Sequence, residues 1–137
     1  MIAVDTNILA RFYCDDPQDP ESQRQRPRAR RVLLESPSVF VPLTVMLEFE
    51  WVMRGFYGLA PKDVGRVLHA LAGIEHSALE DRPAIVSALA SLDKGLDFAD
   101  ALHVARSSRA SEFLTFDQRL AKRAKALGLQ PAVVLLS

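Results

Sequence analysis

Apolar residues along the chain fall into short runs and helical stripes, with no long apolar block. "IAV" (2–4) reads as a short buried strand that runs straight into Asp5. Ile8, Leu9 and Phe12 follow at i, i+1 and i+4, one side of a short helix. After the turn-rich "DDPQDPESQ", Asp19 is a good cap and Pro20 a good first-turn residue, so a helix begins there. Pro27 is expected to kink or restart it before "ARRVLLE". "SVFV" (38–41), a β-branched and aromatic run between two prolines, predicts a strand.

"TVMLEFEWVMRGF" has a helical stripe, Val45, Phe49, Val52, Met53 and Phe56, with Thr44 as N-cap. Leu47 and Trp51 lie off it at i, i+4, either as a second core contact or as an apolar surface for a partner, and burial of Trp51 is the expectation. Pro61 opens a helix to about Ala72, ended by Gly73. "EDRPAIVSALASLDKG" is a further helix, stopped by Gly95, and "DFADALHVARSSR" follows with Asp97 as its cap. "FLT" (113–115) predicts a strand, "DQRLAKRAKALG" a helix ending at Gly128, and "AVVLL" (132–136) a last strand. This alternation predicts an α/β fold, a three-layer sandwich with a central, mostly parallel sheet flanked by helices. No repeat or linker interrupts it, so residues 1–137 read as a single domain.

Composition narrows the picture. Hydrophobic residues make up 49% of the 137, enough for a sizeable core, and no apolar run reaches the ~20 residues of a membrane span. With no secretory signal and a single cysteine, Cys14, a reducing cytoplasm is the expected setting and Cys14 a packing residue. Net charge is zero, but it is segregated: "RQRPRARR" (24–31) has five arginines and "DQRLAKRAK" (117–125) four basic residues. Each run has a plain reading as a solvated helix face; together they are compatible with a polyanionic substrate.

The carboxylates carry the chemistry. Ligands of open α/β sheets bind outside the carboxyl ends of the strands, where Asp5 and Asp117 follow their strands. Either is also a plausible N-cap and nothing more. Asp100 stands inside a helix among apolar residues, where aspartate is a poor choice. Glu48 and Glu50 compete on one helix: Glu48 lies roughly 85° from the centre of the stripe and Glu50 roughly 115° on the other side, which leans slightly to Glu48 as the one bordering the core. Asp5, Glu48, Asp100 and Asp117 would converge on one edge of the sheet. Such a cluster repels itself and raises pKa values unless a cation intervenes. Oxygen-only ligands select Mg²⁺ or Mn²⁺, and metal-dependent phosphodiester hydrolysis follows. No Gly-rich phosphate loop is present, and His69, His76 and His103 lack an adjacent nucleophile motif, although His103 shares a helix side with Asp100.

"AVDTNILARF", "PLTVMLEFEWVMR", "DFADALHVAR" and "FLTFDQRLAKRA" together resemble the PIN domain, in particular the VapC-type toxins of bacterial toxin–antitoxin pairs. The resemblance implies acidic metal ligands at Asp5, Glu48, Asp100 and Asp117, so that Glu48 is favoured over Glu50. Thr6, Asn7 and Thr115 match supporting polar positions, whose plainer reading is capping. It implies a Mg²⁺- or Mn²⁺-dependent endoribonuclease acting on transfer or ribosomal RNA, a homodimer, and inhibition by a cognate antitoxin protein. The proline-interrupted arginine stretch departs from that pattern. Asp97 is expected to cap its helix, with an accessory role at the site as the competing reading. A PIN fold that binds RNA or protein without cutting is the alternative function. A phosphatase with a nucleophilic Asp would need a second Asp two residues on, and Asn7 stands there instead.

Overall fold

Every strand pairing in the protein is parallel, and parallel strands need helical crossovers. The expected α/β class is therefore the observed one. The computed structural model describes residues 1–137 and divides into two compact units, Met1–Glu80 and Asp81–Ser137.

The first unit holds β1 (Ile2–Ala3), α1 (Thr6–Tyr13), α2 (Pro20–Glu35), β2 (Val39–Val41), α3 (Leu43–Gly55), α4 (Pro61–Ala72) and β3 (Ser77–Leu79). Its sheet has the order β1-β2-β3, with Ile2 opposite Val39 and Val39 opposite Ser77. β2 is central, and its Val39 and Val41 are buried. β1 is an end strand and exposed, contrary to the reading of a buried strand; only Val4, after it, turns into the core. β3, "SAL", is short and begins with a polar residue, so its composition does not predict a strand. Ser77 is nonetheless buried there, its hydroxyl donating to the Ile74 carbonyl at 2.7 Å.

α2 runs unbroken through Pro27, so the expected restart does not occur. Pro27 and Gln23, whose carbonyl loses its partner to the proline, are both exposed, and water can satisfy that carbonyl. Ser22, Ala29 and Leu33 anchor the opposite side. Asp19 caps the helix as expected, accepting from the Glu21 amide at 3.3 Å. Cys14 is buried at the end of α1, as a packing residue should be.

α3 departs most from its expected stripe. Its buried residues are Met46, Phe49, Glu50 and Met53, while Trp51 and Phe56 are 59% and 70% exposed. Burial of Trp51 is thus overturned. Glu50 lies on the buried face, and Arg54, one turn on, holds its carboxylate from Nε at 3.0 Å and Nη2 at 3.3 Å. A buried carboxylate is tolerable only when paired in this way. Thr44 is not the cap either. The helix starts at Leu43 behind Pro42, which has no side-chain acceptor, and Glu80 at the end of β3 accepts the Leu43 amide at 2.7 Å instead.

The second unit holds α5 (Arg82–Asp93), α6 (Phe98–Ala105), β4 (Glu112–Thr115), α7 (Gln118–Ala126) and β5 (Ala132–Leu135). α5 and α6 pack through Ile85, Ala88, Leu89, Phe98 and Leu102, all nearly or fully buried. β4 and β5 pair in parallel from Glu112–Ala132 to Thr115–Leu135, with α7 as the crossover. Gly95, between α5 and α6, has φ +94°, and a Cβ there would stand 2.9 Å from Arg123 Nη1. A side chain at that position meets backbone strain, while the guanidinium tip of Arg123 can move aside. No helix is long and apolar enough to cross a membrane.

Candidate active site

In the first unit, β1 ends two residues before Asp5, and Asp5 is the N-cap of α1. Its Oδ1 accepts the Ile8 amide at 3.2 Å. Thr6 opens the helix and is buried, and its hydroxyl donates to Glu48 Oε1 on α3. One side chain of α1 thus fixes the carboxylate of another helix, 42 residues away in sequence. Glu48 itself is exposed, whereas Glu50 is buried and engaged with Arg54. Of the two, Glu48 is the one open to a ligand, though not for the reason its angle to the stripe suggested: it is Glu50 that borders the core. Asn7 lies exposed in the first turn of α1.

In the second unit, three carboxylates gather around α6 and α7. Asp97 caps α6, its Oδ2 accepting the Asp100 amide at 3.0 Å, as expected of a cap. Asp117 follows β4 and caps α7, its Oδ1 accepting the Leu120 amide at 3.1 Å. The Asp117 amide donates to Thr115 Oγ1 at 3.0 Å, so Thr115 fixes the turn that presents Asp117. Asp100 is half-buried on α6. Burial raises its pKa first, and the charges of Asp97 and Asp117 push it further the same way, with His103 opposing. Asp100 is therefore the carboxylate whose charge the protein itself least accommodates.

The donor set suits a hard divalent cation. It consists of carboxylates with neighbouring hydroxyls, and it lacks thiolates. Within neither unit do three or more His, Cys, Asp or Glu side chains form a ready-made cage. That is compatible with Mg²⁺, which is held by one or two carboxylates and keeps several of its waters. A cation beside Asp100 would offset both the burial that raises its pKa and the like charges that add to the rise.

Two positioning residues escaped the sequence reading. Glu80 completes the N-terminus of the helix that carries Glu48, and no local signal links it to Leu43, 37 residues away. Asp81 caps α5 from a left-handed backbone, φ 54°, and pairs with Arg106 beyond the end of α6. The Arg106 hydrogen bond lowers the Asp81 pKa.

No curated protein matches the chain. The PIN domain matches it over residues 2–126, reaching from β1 to the end of α7 and taking in Asp5, Glu48, Asp100 and Asp117. With a match across most of its length, the chain belongs to the PIN domain family and has a nuclease-type fold.

Proposed function

We propose that this protein is a Mg²⁺- or Mn²⁺-dependent endoribonuclease that hydrolyses phosphodiester bonds in structured RNA, with transfer or ribosomal RNA as substrate. The observation that carries this reading is Asp100, a half-buried carboxylate pressed by Asp97 and Asp117. Such a grouping is costly alone and is relieved by a divalent ion. PIN domains typically use divalent metal ions. Asp5, Glu48, Asp100 and Asp117 are the residues that would hold the metal. Bound there, it would supply an acidified water and a counter-charge for the leaving oxygen. Thr6 orients Glu48, Thr115 fixes the turn before Asp117, and the cap bonds of Asp5 and Asp117 hold one oxygen of each carboxylate.

The proposed biological setting is the cytoplasmic toxin of a VapBC-type pair, acting as a homodimer and restrained by a cognate antitoxin. Trp51 and Phe56, exposed at the end of α3, support an assembly surface. An antitoxin arginine placed among the carboxylates would form a bidentate pair in the place of the metal. Purified protein incubated with defined transfer RNAs in Mg²⁺, Mn²⁺ or chelator, with cleavage mapped at nucleotide resolution, tests the activity. Metal-dependent cuts at defined bonds are expected. RNA bound but left intact in both metals would instead establish the binding-module reading.

A further inference from the structure

α7 turns two different faces outward and inward. Leu120 and Ala124 are buried. Arg119, Lys122, Arg123 and Ala126, at i, i+3, i+4 and i+7, share another side of the helix. With Gln118 they line a groove of about 640 Å³. The charge in it is uncompensated. No ion pair engages Arg119, Lys122 or Arg123, and no Asp or Glu occurs in the chain after Asp117. Arg123 Nη1 lies 3.5 Å from the Lys94 carbonyl and over Gly95.

We propose that this groove binds the phosphodiester backbone of the RNA strand on one side of the bond to be cut. The assignment rests on the ribonuclease reading above, and adds to it a track that holds the substrate. Two features support it. The groove starts on the helix that Asp117 caps, with Lys122 about 7.5 Å from Asp117 along the axis at 1.5 Å per residue. It runs about 10 Å from Arg119 to Ala126. One stacked strand carries about three phosphates over that axial length, and three cations line the groove. The other arginine-rich helix, α2, is less suited. Its exposed Arg24, Arg28, Arg30 and Arg31 stand between Glu21 and Glu35 at the two ends of the same helix.

The test measures binding of a labelled transfer RNA by fluorescence anisotropy in chelator, over a series of salt concentrations. The proteins are wild type, the double variant R119Q/K122Q and, as a charge-matched control, R28Q/R31Q. All four side chains are exposed, and thermal melts verify the folds. R119Q/K122Q is expected to weaken binding by about tenfold or more. Its slope of log K against log salt should fall by about 1.4 to 1.8, the counterion release of two phosphate contacts. R28Q/R31Q should change affinity less than threefold. Binding by R119Q/K122Q within twofold of wild type, or an equal loss in both variants, overturns the groove. Displacement of the RNA by polyglutamate at equal charge concentration from wild type, but not from R119Q/K122Q, assigns the groove to an acidic protein segment and overturns it as an RNA track. Cleavage is read separately in Mg²⁺. A binding defect in R119Q/K122Q alongside a wild type that never cuts removes the ribonuclease reading and leaves the groove. Metal-dependent cutting with no binding defect removes the groove and leaves the ribonuclease.

Discussion

The two units handle their acidic side chains in opposite ways. In the first, Glu48 is tethered: a buried threonine hydroxyl donates to its carboxylate, and the competing Glu50 is neutralised by Arg54. In the second, Asp100 stands half-buried among like charges, with its pKa raised. A tethered carboxylate is pre-oriented and needs nothing further, while a repelled one is at its best only when a cation arrives. The contrast separates orientation from charge, and a set of substitutions can test each alone.

The largest effects should come from removing charge while keeping local structure. Asn caps a helix about as well as Asp, so Asp5→Asn and Asp117→Asn should melt near wild type. Each should lose at least about 10³-fold in RNA cleavage, about 4 kcal/mol in barrier. A large fall in melting temperature would mean that these residues serve as caps first. Next comes the tether. Thr6→Val removes the hydroxyl that holds Glu48, and about tenfold slower cleavage is expected, about 1.4 kcal/mol, with Thr6→Ser restoring most of it. Wild-type cleavage by Thr6→Val would show that the tether does not orient Glu48.

Smaller effects concern stability. Arg54→Met strips the partner from buried Glu50 and should destabilise by about 1–3 kcal/mol in urea unfolding, whereas Glu48→Gln should leave unfolding almost unchanged. Asp97→Asn should keep the cap and cost less than tenfold in rate, while Asp97→Ala loses the cap, roughly 0.5–2 kcal/mol. Equal rate losses for Asp97→Asn and Asp100→Asn would rank Asp97 with the metal ligands. The smallest effects are in pH dependence, and they have opposite signs. The raised pKa of Asp100 means that the folded protein binds more protons there than the unfolded chain. That contribution therefore weakens stability as pH rises from the unfolded carboxylate pKa through the folded one. The lowered pKa of Asp81 contributes stability above the unfolded pKa, lost as pH falls through the folded one. Urea unfolding across the acid range should show Asp100→Asn removing the first slope and Arg106→Gln the second.

Much of this was legible in the sequence, and what was not has physical causes. α4 lies at Pro61–Ala72, where a proline start and a glycine stop place it. The caps at Asp19 and Asp97 were readable because capping is local. β3 was not, since a three-residue strand is held by pairing with β2 and not by its own composition. The buried face of α3 differs from its apolar stripe because it includes a charged residue, Glu50. A glutamate paired with Arg54 occupies a core position there, and Trp51 stands outside. For the candidate site, strand-end position points to Asp5 and Asp117, and an aspartate inside an apolar helix points to Asp100. The Thr6–Glu48 and Glu80–Leu43 bonds span 42 and 37 residues, and no periodicity encodes them.

The central claim is that carboxylate charge, Asp100 above all, serves a metal-dependent cut in RNA. It is tested most directly by single-turnover cleavage of one transfer RNA by wild type and Asp100→Asn at matched protein and Mg²⁺. Cleavage at a defined bond by wild type is expected, with loss of it in chelator and a loss of about 10³-fold or more in Asp100→Asn, whose apo form melts no lower than wild type. Cleavage by Asp100→Asn at the wild-type rate, at the same bond and the same Mg²⁺, would contradict it.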